Sequence, residues 1–329
     1  MATVQNKKIV VIGGGTGTSV VVSGLKNHEN LNITALVSVA DSGGSTGRLR
    51  DEFGFQPVGD LRQSLAALAD EKEQSWIRNL LLYRFSQGEG LQGHNLGNLL
   101  LTALQDMAGS TAKALEIAES IFRLKGSIYP ITETNVQLVV EYEDGTFLIG
   151  EDNLNPGNSG GKKIKKIHLS PKAKIYKKAA ASIEQADLVV IGPGDLYASI
   201  LPNFLAQGIK TAFTKSQAKI VYIVNLMTSF TQTANYKASD HLTELEQYLG
   251  KKPDFVFMHS GVISKQMLEL YQAEQEFPVE DDLDRNKYQV IGRDFLETVV
   301  ASKQPGDALH RSLLRHDGEK ISQELLKLL

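Results

Sequence analysis

The chain has 329 residues, 42% of them hydrophobic, a formal net charge of −3 and no cysteine. That is enough apolar material for a large buried core, while the charge gives no global basic field for nucleic acid or an anionic membrane. The missing thiols exclude disulfides, zinc–thiolate sites and cysteine nucleophiles. No run reaches the roughly 18 apolar residues of a membrane span, and the first residues lack a signal-peptide stretch, so a soluble cytoplasmic protein is expected.

Lys8–Ile12 and Ile33–Val39 are continuous apolar runs, as expected of strands covered on both faces. From about Asp60 to Lys125 helical spacing takes over. Leu61, Leu65 and Leu68 share one face, Trp76, Leu80 and Leu81 mark a second helix, and Leu96, Leu100 and Leu104 a third. Ala114, Leu115, Ala118 and Phe122 mark a fourth, with Ser110 or Thr111 as its cap. This stretch reads as a helical insertion over the strand ends. Glu143-Asp144-Gly145 between two β-rich runs signals a hairpin over about 136–150. Ile164–Leu169 alternates like a half-exposed strand. Buried strands follow at Leu188–Ile191, Ile220–Val224 and Phe255–Met258, each succeeded by a helical stretch, and a last helix begins near Gly318. Strands alternating with helices predict one α/β domain, a Rossmann-like, doubly wound and mainly parallel sheet. Its ligands would sit beyond the carboxyl ends of the strands.

The first strand runs into Gly13-Gly14-Gly15-Thr16-Gly17, a loop that lets backbone N–H groups approach an anion. The dinucleotide fingerprint G-x-G-x-x-G fails at Thr18. Asp41 also lies well past the roughly 20-residue spacing of the ribose-binding acid, so NAD(P) is not expected. A second strand-end loop holds Asp41, Ser42, Gly43, Gly44, Ser45, Thr46 and Arg48. Its hydroxyls and guanidinium suit phosphate oxygens, and Asp41 suits either a phosphate-borne magnesium ion or the proton of an attacking hydroxyl. Two such loops suggest a ligand with more than one phosphate. Asp60 reads as a helix N-cap, and His94 as structural. Asn95 and Asn98 open a helix with amides suited to sugar hydroxyls or a base edge. Gly194-Asp195 follows a buried strand, where Asp195 is either an N-cap or a ribose or metal ligand. The eight lysines between 160 and 180 read as a solvated face. His310, Arg311 and Arg315 place cations near the last helix.

In order along the chain stand IGGGTGT, VADSGGSTGRLR, PVGDLR, GHNLGNLLL, DLVVIGPGDLYASILPN, VNLMT and LLRHD. This set, spanning nearly the full chain, resembles the 2-phospho-L-lactate transferase (CofD) family, and within it the bacterial gluconeogenesis factor branch. The resemblance implies a nucleoside-diphosphate ligand. In the transferases a guanosine-diphosphate-linked phospholactate donor meets the hydroxyl of a deazaflavin, with magnesium present. The gluconeogenesis-factor branch is associated with UDP-sugar binding, carbon metabolism and cell shape, with no firmly implied reaction. Carried over by motif, the Gly13–Gly17 and Ser42–Thr46 loops hold the diphosphate, and Asp41 is the metal or transfer-site residue. Asn95, Asn98 and Asp195 line the crevice, and Arg315 is a phosphate or sugar contact. The resemblance also implies a dimer. Ser229-Phe230-Thr231-Gln232-Thr233 departs from the Gln-Pro-Gly-Glu-Thr that the branch tends to carry. A transferase and a scaffold with an inert pocket are the alternatives to a UDP-sugar binder.

Overall fold

The computed structural model describes residues 6–159, 161–298 and 313–329, so His310 and Arg311 lie outside the described residues. A seven-stranded parallel sheet runs in the order β10-β9-β8-β7-β1-β2-β3. β1 (Lys7–Gly13) is an inner strand, flanked by β2 (Leu31–Val37) and by the middle strand β7 (Leu188–Ile191). Alternate residues of β1 feed opposite faces. Val10 and Ile12 join one apolar core, while Ile9 and Val11 join the other. A strand buried on both sides has no polar positions to spare, which is why its sequence is an unbroken apolar run. β8 (Lys219–Ile223) and β9 (Phe255–His259) continue the sheet beyond β7.

The edge strands β3 (Ser127–Pro130) and β10 (Gln289–Arg293) were not foreseen. One ends in proline and the other is half-exposed and polar at both ends. An edge strand covered less completely needs no long apolar run, so it leaves no such signal.

Helix α1 (Gly15–Leu25) follows β1, and α2 (Gly44–Phe53) follows β2. The second glycine-rich segment is therefore helical from Gly44 onward, and Ser45, Thr46 and Arg48 lie on its first turns rather than on a loop. The run α3 (Gly59–Leu68), α4 (Glu71–Leu82), α5 (Leu96–Ala108) and α6 (Thr111–Phe122) connects β2 to β3. Ser110 caps α6 as its sequence suggests, accepting from the Lys113 N–H at 3.3 Å. Asp60 is not an N-cap. Val58 holds that position and Asp60 falls in the first turn of α3.

The hairpin β4 (Gln137–Tyr142) and β5 (Phe147–Ile149) gains β6 (Ile164–Ser170), giving a second, antiparallel sheet ordered β5-β4-β6. A short turn of helix, α7 (Pro156–Ser159), lies between β5 and β6. The lysine-rich strand is answered by acids across the sheet. Lys165 and Lys166 both reach Glu141, at 2.7 and 3.0 Å, and hold its carboxyl below the usual range. Further α-helices among the described residues are α8 (Lys177–Gln185), α9 (Ile209–Lys215), α10 (Ala238–Leu249), α11 (Lys265–Ala273) and α12 (Gly318–Leu326), the last packing against α1. No described helix is long and apolar enough to cross a membrane.

Two histidines are buried without charge. Burial pushes His241, on α10, down to about 4, and His316 down to about 3. Unfolded, each takes a proton below about 6.5. Unfolding therefore binds protons, and the stability tied to neutral imidazole is lost as pH falls from about 6.5 toward 4. The melting temperature should drop over that window. His241→Leu should flatten the drop, since one such histidine is worth up to about 3 kcal/mol there. Identical slopes in both proteins would refute the assignment.

Candidate functional site

The site lies at the carboxyl ends of β1, β2 and β7. The chain winds outward in opposite senses from β1 and β7, so their boundary is the topological switch point where open α/β sheets place ligands. Gly13 ends β1, and Gly14 occupies the N-cap position of α1 with no side chain to cap it. The first-turn N–H groups of α1 are thus left for an anion. Gly17 packs directly on the turn after β7. A Cβ there would overlap the Pro193 carbonyl oxygen and lie 2.7 Å from its carbonyl carbon. A side chain at position 14 would meet the Asp60 carboxylate, so α3 lays an acid over the same loop.

The wall after β2 is more committed than its composition implies. Asp41 Oδ1 accepts from the Gly43 N–H at 3.0 Å, and the Thr46 hydroxyl bonds to the same carboxylate. Ser45 and Thr46 are buried against the start of α5. There Asn98 Nδ2 donates to Ser45 Oγ at 3.3 Å and to Thr46 Oγ1 at 3.2 Å. His94 Nδ1 and the Asn95 N–H also reach Ser45 Oγ. Asn95 caps α5 by accepting from the Asn98 N–H at 3.2 Å. With exposures of 1% and 3%, Asn95 and Asn98 stand behind the crevice wall rather than on its surface, and they fix α2 in place. Ser42 hydrogen-bonds to Asp152, from the turn after β5. Arg48 is exposed on the outer side, beside the loop that carries Gly93 and His94. Burial, then the Arg48 and Arg84 charges, keep His94 below its usual pKa.

The third wall resolves the two readings of Asp195. It occupies the N-cap position of the short helical turn Leu196–Ile200, yet its side chain makes no capping bond. Gln232 does that work from the loop after β8, its Oε1 accepting from the Tyr197 and Ala198 N–H groups at 3.2 and 3.0 Å. Asn225 steadies the same turn, its Oδ1 accepting from the Gly194 N–H at 3.0 Å. Relieved of capping, the Asp195 carboxylate keeps an accessible edge at the crevice. The protein around it still holds its pKa above the usual range.

These walls gather acids. Burial raises Asp41, against the pull of its hydrogen bonds and of the buried Arg62. Glu151 is raised well above the ordinary range, first by burial and then by the charges of Asp41, Asp60, Asp195 and Asp152. Such a set accepts hydrogen bonds from sugar hydroxyls and attracts a hard cation, while it repels a bare diphosphate. Among the described residues no three His, Cys, Asp or Glu side chains converge on one metal position. A magnesium ion here would be held by one or two carboxylates and by phosphate oxygens, the usual pattern for that ion. Sequence reasoning missed Asp60 as a crevice residue, and also Glu151, Asp152 and Gln232, whereas Asn225 stands at a strand end that the sequence marks as polar. Arg315 stands in the segment just before α12. Its carbonyl accepts from the Glu297 N–H at 2.9 Å, and the neighbouring His316 bonds to the backbone of Val224 at the end of β8.

The family model described as 2-phospho-L-lactate transferase CofD matches residues 9–297. A Thermotoga maritima protein is 40% identical over 96% of this chain and 97% of its own length. Proteins named gluconeogenesis factor are 38% identical in Halalkalibacterium halodurans and 36% identical in Bacillus subtilis, covering 98% and 99% of this chain and 97% and 99% of their own. The crystal structure of a Bacillus halodurans protein superposes with a TM-score of 0.87 at 38% identity, over 98% of this chain and 99% of that one.

Proposed function

Since the chain belongs to the CofD family, with relatives named gluconeogenesis factor, we propose that it is a cytoplasmic binder of a nucleoside-diphosphate sugar, specifically a UDP-sugar. In this reading the bound ligand lets the protein regulate carbon metabolism and envelope synthesis, and hence cell shape. One observation carries it: the uncapped start of α1, pressed against the Gly192–Asp195 turn, offers free N–H groups at the switch point beside a carboxylate-rich wall. The N–H groups suit a diphosphate, and the carboxylates suit sugar hydroxyls or a cation carried by the phosphates. NAD(P) has no part in it, since the first loop lacks the spacing of its fingerprint.

Isothermal titration with UDP-N-acetylglucosamine tests the reading, with an expected micromolar dissociation constant, about −8 kcal/mol. Absence of heat with every UDP-sugar sinks it. Arg315→Ala should weaken binding at least tenfold, because a hydrogen bond to a charged group is worth roughly 1.5–3 kcal/mol. A homodimer is also expected. Trp76, Met107 and Ile121 are exposed on α4, α5 and α6, at 62%, 81% and 58%, and a monomer by light scattering would refute it.

A second reading rests on Asp41, a buried carboxyl with raised pKa beside the phosphate loops. It makes the protein a transferase moving a phospho-group from a nucleoside-diphosphate donor to a hydroxyl. Asp41 would take the hydroxyl proton or help hold magnesium, which would neutralise charge on the diphosphate. Product from GDP-linked phospholactate and a deazaflavin, abolished by Asp41→Asn, would favour it; no product in the wild type would remove it.

A further inference from the structure

We infer that His94 is a positioning residue for the diphosphate: its bare Nδ1 takes the one hydrogen that Ser45 has to give, and so holds the start of α2 at the crevice. The role rests on the UDP-sugar reading above.

Helix α2 begins as α1 does. Gly43 stands at its N-cap position with no side chain to cap it, so the first-turn N–H groups are left for an anion. They can serve only while α2 is held against its neighbours, and the bonds that hold it to α5 run through Ser45 and Thr46.

Those bonds have one consistent set of directions, and it starts at Asp41. A carboxylate only accepts, so the Thr46 hydroxyl spends its hydrogen on Asp41. Thr46 Oγ1 is then an acceptor toward α5, and the end of the Asn98 amide that meets it at 3.2 Å is Nδ2. The second hydrogen of that Nδ2 goes to Ser45 Oγ at 3.3 Å. The Asn95 N–H, which can only donate, reaches the same oxygen at 3.3 Å. Both lone pairs of Ser45 Oγ are thereby filled. Its own hydrogen is left with His94 Nδ1, 3.2 Å away. Nδ1 is therefore unprotonated, and the neutral ring carries its proton on Nε2. The surroundings keep it so. Burial and the charges of Arg48 and Arg84 disfavour the imidazolium and outweigh Glu52. A proton on Nδ1 would set donor against donor and leave the hydrogen of the buried Ser45 unmet.

The test titrates UDP-N-acetylglucosamine into the full chain and three variants. Asn places an oxygen where Nδ1 stood, Gln where Nε2 stood, and Leu offers none. His94→Leu and His94→Gln should bind at least tenfold more weakly than the wild type, and His94→Asn at least fivefold more tightly than either. Nitrogen NMR of the histidine-labelled wild type at neutral pH should show the Nε2–H tautomer for the signal that His94→Asn removes. An Nδ1–H or doubly protonated ring overturns the role. So does wild-type affinity in His94→Leu, or a His94→Asn no tighter than the other two variants. The UDP-sugar reading survives each of these outcomes, because the wild type still binds. A wild type that binds no UDP-sugar overturns both. If His94→Leu does not fold, the tautomer and the comparison of His94→Asn with His94→Gln decide.

Discussion

Gly17→Ala is expected to weaken UDP-N-acetylglucosamine binding by at least a hundredfold while leaving the circular dichroism spectrum unchanged. The added methyl would meet the Pro193 carbonyl, which is backbone and cannot swing aside. Either the first turn of α1 or the Gly192–Asp195 turn must retreat by roughly 1 Å, because non-bonded atoms at that range repel steeply. Both carry proposed ligand groups: N–H donors on one, Asp195 on the other. A shift of about that size in groups that must act together costs on the order of a hundredfold. Overpacking itself should remove about 1–3 kcal/mol of stability. Calorimetry and a melting curve check the two effects separately, and wild-type affinity in the variant would show that the contact between the turns does not shape the site.

Gly24→Ala, about two turns further along the same helix, should do the reverse: a large loss of stability with little direct effect on the ligand. Gly24 faces Gly318, and a Cβ would lie 3.1 Å from the Gly318 Cα while overlapping its carbonyl. Helix α12 must then move off α1, loosening Ile321 and Leu325 from the core they share with Val21, Val22 and Leu25. The cost should be about 3 kcal/mol, at the upper end for overpacking, since backbone meets backbone and no rotamer change relieves it. A urea midpoint unchanged from wild type would refute it. At saturating ligand the folded variant should bind normally, in contrast to Gly17→Ala.

The sequence was legible where burial on both faces forced a pattern. β1, β7, β8 and β9 are central strands with continuous apolar runs, and α3 through α6 keep a helical stripe. It was least legible at the sheet edges, where β3 and β10 need no such run. The ends of the glycine loops were placed well, because Gly13–Gly17 and Gly192–Asp195 follow strands that could be seen. The role of the hydroxyls was not. GGST reads as an anion loop, but α2 begins at Gly44 with φ near +53°, and Ser45 and Thr46 turn toward Asn98, a partner fixed only by folding. Glu151 and Asp152 reach the crevice because the small antiparallel sheet carries them there, and no local pattern marks them. Asp195 was undecided for the same reason, since the residue that relieves it of capping, Gln232, stands on another loop.

That division of labour bears on how such a protein can drift. A side chain that caps its own turn cannot be exchanged without loosening the turn. At position 195 the two duties are separated, so a descendant can change the ligand-facing group and keep the backbone. The constraint moves to position 232, where it is one of reach. Gln and Glu end in an oxygen on a stem of equal length, whereas Asn or Ser falls short. A Glu at 232 would therefore reach the Tyr197 and Ala198 N–H groups as the Gln found here does.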